Sequence, residues 1–343
     1  MMRCFTLILL LPLLTSCTGD SVDAPFQQYL QRLGRTLDIA TVPPAPDISV
    51  PRLARPGQLR VDIVSDKLGT LDFLDLRGCA LQTTVGKSNS SLGRMARDSQ
   101  RLLLALEFMR LAPDCITLLQ SDGEQALAAT LARALENKRR QLPALVFNAT
   151  LGGEEFAALW RPGRLQAQYP ENTSSTVITA LEGITVSAQR WLAGDYRADN
   201  MDLELQLSAV ARGDGGQLWK ALAHQGRWLQ RANAALELRL QRGPLCPPDR
   251  RPQAADILPN VIGKFFIEGI QPRAAALGRR YHQLLPPVVE LETLLLAALP
   301  PAYRQWQQLR EQDLARLSRQ PREHVDTLQH LLSSCQSPRN GTL

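Results

Sequence analysis

Four histidines, three close carboxylate pairs, one Gly-Lys-Ser triplet and six cysteines are the residues of this chain that could carry chemistry. None of His224, His282, His324 and His330 lies in a His-Glu-x-x-His pattern, and none adjoins a Cys or Ser in a nucleophile signature. A surface or half-buried place is expected for each. Glu154-Glu155, Asp72/Asp75 and Asp202/Glu204 could in principle share acid and base roles, but such pairs are common on solvated helix faces. Thr83-Thr84-Val85-Gly86-Lys87-Ser88 resembles the end of a phosphate-binding loop. That loop needs a first glycine at position 81, where Leu81 stands. There is no Cys-x-x-Cys and no histidine at metal-ligand spacing, so no zinc site and no cofactor is expected. These residues nominate no catalytic group.

The N-terminus carries a more specific signal. Arg3 is followed by an apolar run from Phe5 to Leu14, too short to span a hydrocarbon layer of roughly 30 Å as a helix. Such a run fits the core of a secretory signal. Leu14-Thr15-Ser16-Cys17 then resembles the lipobox of bacterial lipoproteins. The resemblance implies cleavage before Cys17, diacylation of its sulfur and acylation of the freed amine. Each buried methylene contributes roughly 0.8 kcal/mol, and two or more chains make an anchor stable. Thr18 differs from the Asp that retains enterobacterial lipoproteins in the inner membrane. The periplasmic face of the bacterial outer membrane is therefore the expected address.

Cys4 leaves with the leader. Cys79, Cys115, Cys246 and Cys335 remain, an even set that reads as two disulfides in an oxidising compartment. Three connectivities are open, as are four buried thiols. Pairing within each half gives Cys79–Cys115 and Cys246–Cys335. The formal charge of +6 becomes +5 once Arg3 is removed. Basic residues cluster at Lys138-Arg139-Arg140, where a helix end would welcome them, and at Arg273 with Arg279-Arg280. Outside the cytoplasm nucleic acid is not an expected partner.

The remaining pattern is almost wholly helical. Expected helices are Ala24 to Asp38, Lys67 to Arg77, Ser90 or Ser91 to Leu111 with Met95 and Leu102 on the buried stripe, and a short one opened by Pro113. Gly123 to Arg140, Glu154 to Trp160, Ser174 to Ala193, Met201 to Ala211 and Gln217 to Arg242 follow. Asp256 to Gly269 should break near Pro259. Prolines should open the later helices, at Pro272, Pro286-Pro287, Pro300-Pro301 and Pro321. Five prolines between Val42 and Pro56 make an extended strap or tether. Leu59 to Val64 reads as a short strand or extended chain, Gly86 to Ser90 as a loop, and Leu142 to Leu151 as an isolated extended segment. Trp160, Trp191, Trp219, Trp228 and Trp306 mostly fall on apolar stripes and belong to a core. The expected fold class is all-α, a multi-helix bundle or loose helical solenoid. Its expected parts are a leader (1–16), a lipidated N-terminus with a short helix and Pro-rich tether (17–58), two helical regions (59–243 and 244–336) and a disordered tail (337–343).

Phe73-Leu74, Cys79-Ala80-Leu81, Asn89-Ser90-Ser91-Leu92-Gly93 and Ser99-Gln100-Arg101-Leu102 are together similar to a family of proteobacterial lipoproteins classified only as a domain of unknown function. Phe265-Phe266 and Ile270-Gln271-Pro272 fit it too. The likeness covers nearly all of the mature chain. It implies export and an α-rich fold, and it brings no catalytic residues.

One anion site is expected from the residues themselves. Asn89 and Ser90 precede a helix whose first turns carry Arg94, Arg97 and Arg101. The leading functional expectation is a non-enzymatic envelope scaffold for protein partners, held on the membrane by lipid on Cys17. The alternatives are an envelope protein that binds lipid, a peptidoglycan fragment or another anion in a groove of exposed aromatics and Arg94, Arg97 or Arg280, and an enzyme whose residues meet only in the fold.

Overall fold

A computed structural model describes residues 21–40, 42, 44, 49–64, 76–248 and 250–335. Among these residues all regular structure is helical. Cys17 and the leader, most of the expected helix Lys67 to Arg77, and the tail lie outside them.

The first helix, α1 (Ala24–Leu37), buries Phe26, Tyr29, Leu33 and Leu37, an apolar stripe at helical spacing. It stops where Asp38 turns left-handed at φ 56° and Ile39 N–H bonds back to the Gly34 carbonyl. The described strap residues and the chain to Val64 are bound to the body. Trp306 Nε1 donates to the Pro51 carbonyl at 3.3 Å, and Asn148 exchanges two hydrogen bonds with the Val61 backbone. Only one turn of helix, α2 (Pro56–Leu59), interrupts this stretch, and no strand forms there.

Gly86 to Ser90, expected as a loop, continues the helix α3 (Leu81–Asn89). Ser90 does cap, accepting from Gly93 N–H, but the helix it opens is only α4 (Ser91–Arg94). The chain then breaks before α5 (Asp98–Ser121), and Met95 is 84% exposed instead of buried. Arg101 satisfies the carbonyls freed by that break, donating to those of Ala96 and Arg94.

Several prolines lie within helices instead of at their starts. Pro113 lies inside α5, and Pro143 lies inside α6 (Gln125–Ala149), so the segment around Val146 and Phe147 is helical, not extended. Pro286 and Pro287 sit inside α12 (Gln271–Leu294), and Pro321 inside α13 (Pro301–Ser333). Of the prolines expected to open the later helices, Pro272 and Pro301 occupy first turns. An internal proline costs about 3 kcal/mol. Breaking α6 at Pro143 would unseat Leu142, Leu145, Val146 and Phe147, all buried. Each is worth about 1.5–3 kcal/mol when buried, so burial wins.

Between these lie α7 (Glu154–Leu159), α8 (Thr176–Leu192), α9 (Asn200–Ala211), α10 (Gly215–Leu240) and α11 (Gln253–Val261). The break expected at Pro259 falls instead at Ile262, where Ile262–Ile267 widens to π spacing and Glu268 N–H reaches the Gly263 carbonyl. Asp214 precedes α10, whose first residues, Gly215 and Gly216, allow the backbone to approach Trp160 and the Arg161 carbonyl.

Helices α10 and α13 lie side by side and parallel. Trp219 meets Asp313, Gly226 meets Leu317, and Asn233 meets His324. Two cores are stacked along this pair. Leu218 to Ala223 and Tyr303 to Leu317 belong to the first, with α5, α6, α8 and α9. Trp228 to Leu236, Leu328 and Leu331 belong to the second, with α1 and α11. All five tryptophans are buried, as their stripes implied. Disulfides join Cys79 to Cys115 and Cys246 to Cys335, with Cα separations of 5.3 and 5.0 Å.

Candidate functional site

The pairing of α5 with α6, completed by α3, α4 and the chain after α2, leaves a groove of about 450 Å³. Its floor is apolar: Ile63, Val85, Leu104, Ala105, Phe108 and Leu145. Arg60, Arg94, Arg101 and Lys138 line it too, against a single acid, Asp98, so the lining carries a formal +3. Arg60 pairs with Asp98 at 2.6 Å. Arg94 donates to the Asn89 carbonyl at 2.9 Å, and Lys138 Nζ lies 5.0 Å from the centre of the Phe108 ring. Bonds to neutral carbonyls orient the Arg94 and Arg101 guanidiniums without cancelling their charge. Val64, 72% exposed, belongs to the lining, and Leu92 and Met95, each 84% exposed, flank Arg94 in the chain.

Asn89, Arg94 and Arg101 are thus brought together. Ser90 is occupied as a cap, and α4 is too short to offer a helix terminus to an anion. Arg97 lines a smaller neighbouring cleft of about 240 Å³, 3.9 Å from Glu155. Arg280 is buried and forked onto Asp214, which also accepts from the Tyr169 hydroxyl at 2.7 Å. The exposed aromatics expected of a ligand groove are not part of this one: its ring, Phe108, is buried in the floor. Nothing in the local sequence assigns Arg60, Lys138 or the floor to this groove. Lys138 reads there as an ordinary helix-end cation, and only the packing of α5 on α6 sets it over Phe108.

The other polar clusters are closed. Two of the four histidines are buried, contrary to expectation. His324, wholly buried, accepts from the Tyr29 hydroxyl at 2.8 Å and donates to Asn233, and Phe266 packs on it edge-on. Burial lowers its pKa to about 4 and raises that of Tyr29. His224 donates to Asp23 at 2.6 Å, and Trp228 Nε1 donates to the same oxygen at 2.9 Å. Burial holds the His224 pKa below its ordinary value despite Asp23. In the first core Arg310 forks onto Glu292 with both bonds at 2.7 Å, both side chains fully buried. The Tyr303 hydroxyl and Gln307 also donate to Glu292, and the Arg310 guanidinium lies over Trp160 and Trp306. Of the carboxylate pairs, Glu204 accepts from Ser99 and Gln100, and Asp202 from Gln206, whereas Asp72 and Asp75 lie outside the described residues. These groups pin helices together. In the groove, by contrast, net positive charge and apolar surface together face solvent.

Fold and site define an all-α protein with a basic-rimmed apolar groove. The chain belongs to the family described as protein of unknown function (DUF3080), whose profile matches residues 26–338. Neither the curated proteins nor the solved structures gave a match.

Proposed function

We propose that this is an exported lipoprotein, anchored through lipid on Cys17 at the periplasmic face of the outer membrane, whose groove binds an anionic amphiphile. The observation that carries the binding is the pairing of an apolar floor with a lining of formal +3. An acyl chain fits Leu104, Phe108 and Leu145, and a phosphate or carboxylate fits Arg94 and Arg101. Export is supported by the leader, the lipobox-like run ending at Cys17 and the two disulfides, which belong in an oxidising compartment.

Two measurements test these parts separately. Cys17→Ser should release the protein from the membrane pellet, while the parent carries a triacyl mass increment on its first tryptic peptide. Cys17→Ser protein purified from the periplasm should co-purify with an anionic lipid that Leu104→Glu protein lacks. Lipid recovered equally with both proteins would contradict groove binding. A protein-partner scaffold remains the second reading, favoured by the protruding Leu92 and Met95. It expects a cross-linked partner that Leu92→Asp and Met95→Asp abolish.

A further inference from the structure

A second cleft, of about 1240 Å³, opens where the chain enters α1, and Ser21 is part of its lining. Ser21 is four residues from Cys17, so the two Cα atoms lie within about 14 Å of each other even in fully extended chain. The α1 helix cannot act as a swinging arm. Phe26 stacks on Trp228, Tyr29 bonds His324 and Asp23 bonds His224, which ties α1 to α10 and α13. The Pro-rich strap comes after α1 and cannot lengthen the leash. If Cys17 is in the membrane, this cleft is held near the headgroup layer.

The charges of the cleft suit that place. Glu171 and Glu268 stand with Arg273 and Arg279 in its lining, two acids against two cations. Arg273 donates to the Tyr169 and Gln166 carbonyls, while Arg279 is exposed and makes no ion pair among the described residues. Ile267, next to Glu268, is half exposed. A balanced surface of this kind matches a zwitterion, with phosphate at arginine and ammonium at glutamate. The anionic-amphiphile groove differs from it in charge and shares no lining residue with it.

We propose that this cleft docks on zwitterionic phospholipid headgroups and fixes how the protein stands on its membrane. Docking rests on the anchor proposed above, so acylation of Cys17 is first verified by intact mass; an unacylated chain would overturn both. The acylated full chain is then placed in vesicles of phosphatidylethanolamine and phosphatidylcholine that carry a headgroup nitroxide. A fluorophore sits on Ala276→Cys, in the cleft, or on Ala132→Cys, exposed on α6. Quenching at 276 should be at least about threefold that at 132, since contact quenching needs the label at the headgroup plane. It should persist when a Gly/Ser linker of about twenty residues, with a root-mean-square reach of about 25 Å, is inserted between Gly19 and Asp20. It should fall to the level at 132 when Arg279→Glu is added to that linker protein. Equal quenching at both sites, loss of the difference on linker insertion alone, or quenching that requires added phosphatidylglycerol would overturn the proposal. In the first two cases an acylated mass would leave the anchor itself intact.

Discussion

His324 makes the clearest residue-scale demand, because burial with both ring nitrogens engaged in the second core favours its neutral form. Its folded pKa of about 4 lies below the ordinary value of 6.5. The unfolded chain therefore binds the extra proton first, and the stability contributed by neutral His324 is present above pH 6.5 and lost as pH falls toward 4. Over that window the loss is about 3 kcal/mol, at 1.36 kcal/mol per pH unit. Urea midpoints at pH 7 and pH 4.5 should separate widely for the parent and less for His324→Gln. Equal separations would assign the acid sensitivity elsewhere. The Glu292–Arg310 pair behaves differently, since losing one partner strands a buried charge. Arg310→Met should cost about 3–5 kcal/mol, with most of it recovered when Glu292→Gln is added. Neither cluster was legible in the sequence. Their hydrogen-bond partners lie 11 to 295 residues apart, and no recognised motif spacing joins them.

At the scale of elements, legibility followed the apolar stripes and failed at proline. The helix expected over Gln217 to Arg242 is α10, because heptad spacing places Leu222, Leu229 and Leu236 on one buried face. A local rule makes Pro113, Pro143, Pro286, Pro287 and Pro321 poor interior residues, because each loses a backbone hydrogen bond. That rule is blind to the buried side chains on both sides. Two glycines test the packing of elements directly. A Cβ on Gly216 would meet the Arg161 backbone at 2.4 Å, whereas one on Gly278 meets nothing within 4 Å. Gly278→Ala should stabilise the protein by about 0.4–1 kcal/mol. Gly216→Ala should destabilise it by more than that, as seen in thermal melting. A neutral Gly216→Ala would mean that α10 does not start against Trp160 and Arg161.

For the whole molecule, the two disulfides were legible because each closes a loop within its own half of the chain, of 36 and 89 residues. Cys246–Cys335 clamps the end of α13 to the segment after α10, and Arg251 donates to the Cys335 carbonyl at 3.3 Å. Replacing both cysteines with alanine should lower stability by about 4 kcal/mol in the chain-entropy picture. The groove was only half legible. Asn89, Arg94 and Arg101 are close in sequence to Val85 and to Leu104, Ala105 and Phe108 of the floor, but Arg60 with Ile63 and Lys138 with Leu145 come from two other segments. Its central role is tested most directly by calorimetry of dodecyl phosphate, below its micelle concentration, with Cys17→Ser protein and with the same protein carrying Lys138→Glu or Leu104→Glu. One saturable site should appear, weakened at least tenfold by either change, about 1.4 kcal/mol. No binding, or binding that both variants leave untouched, would contradict the groove as the site.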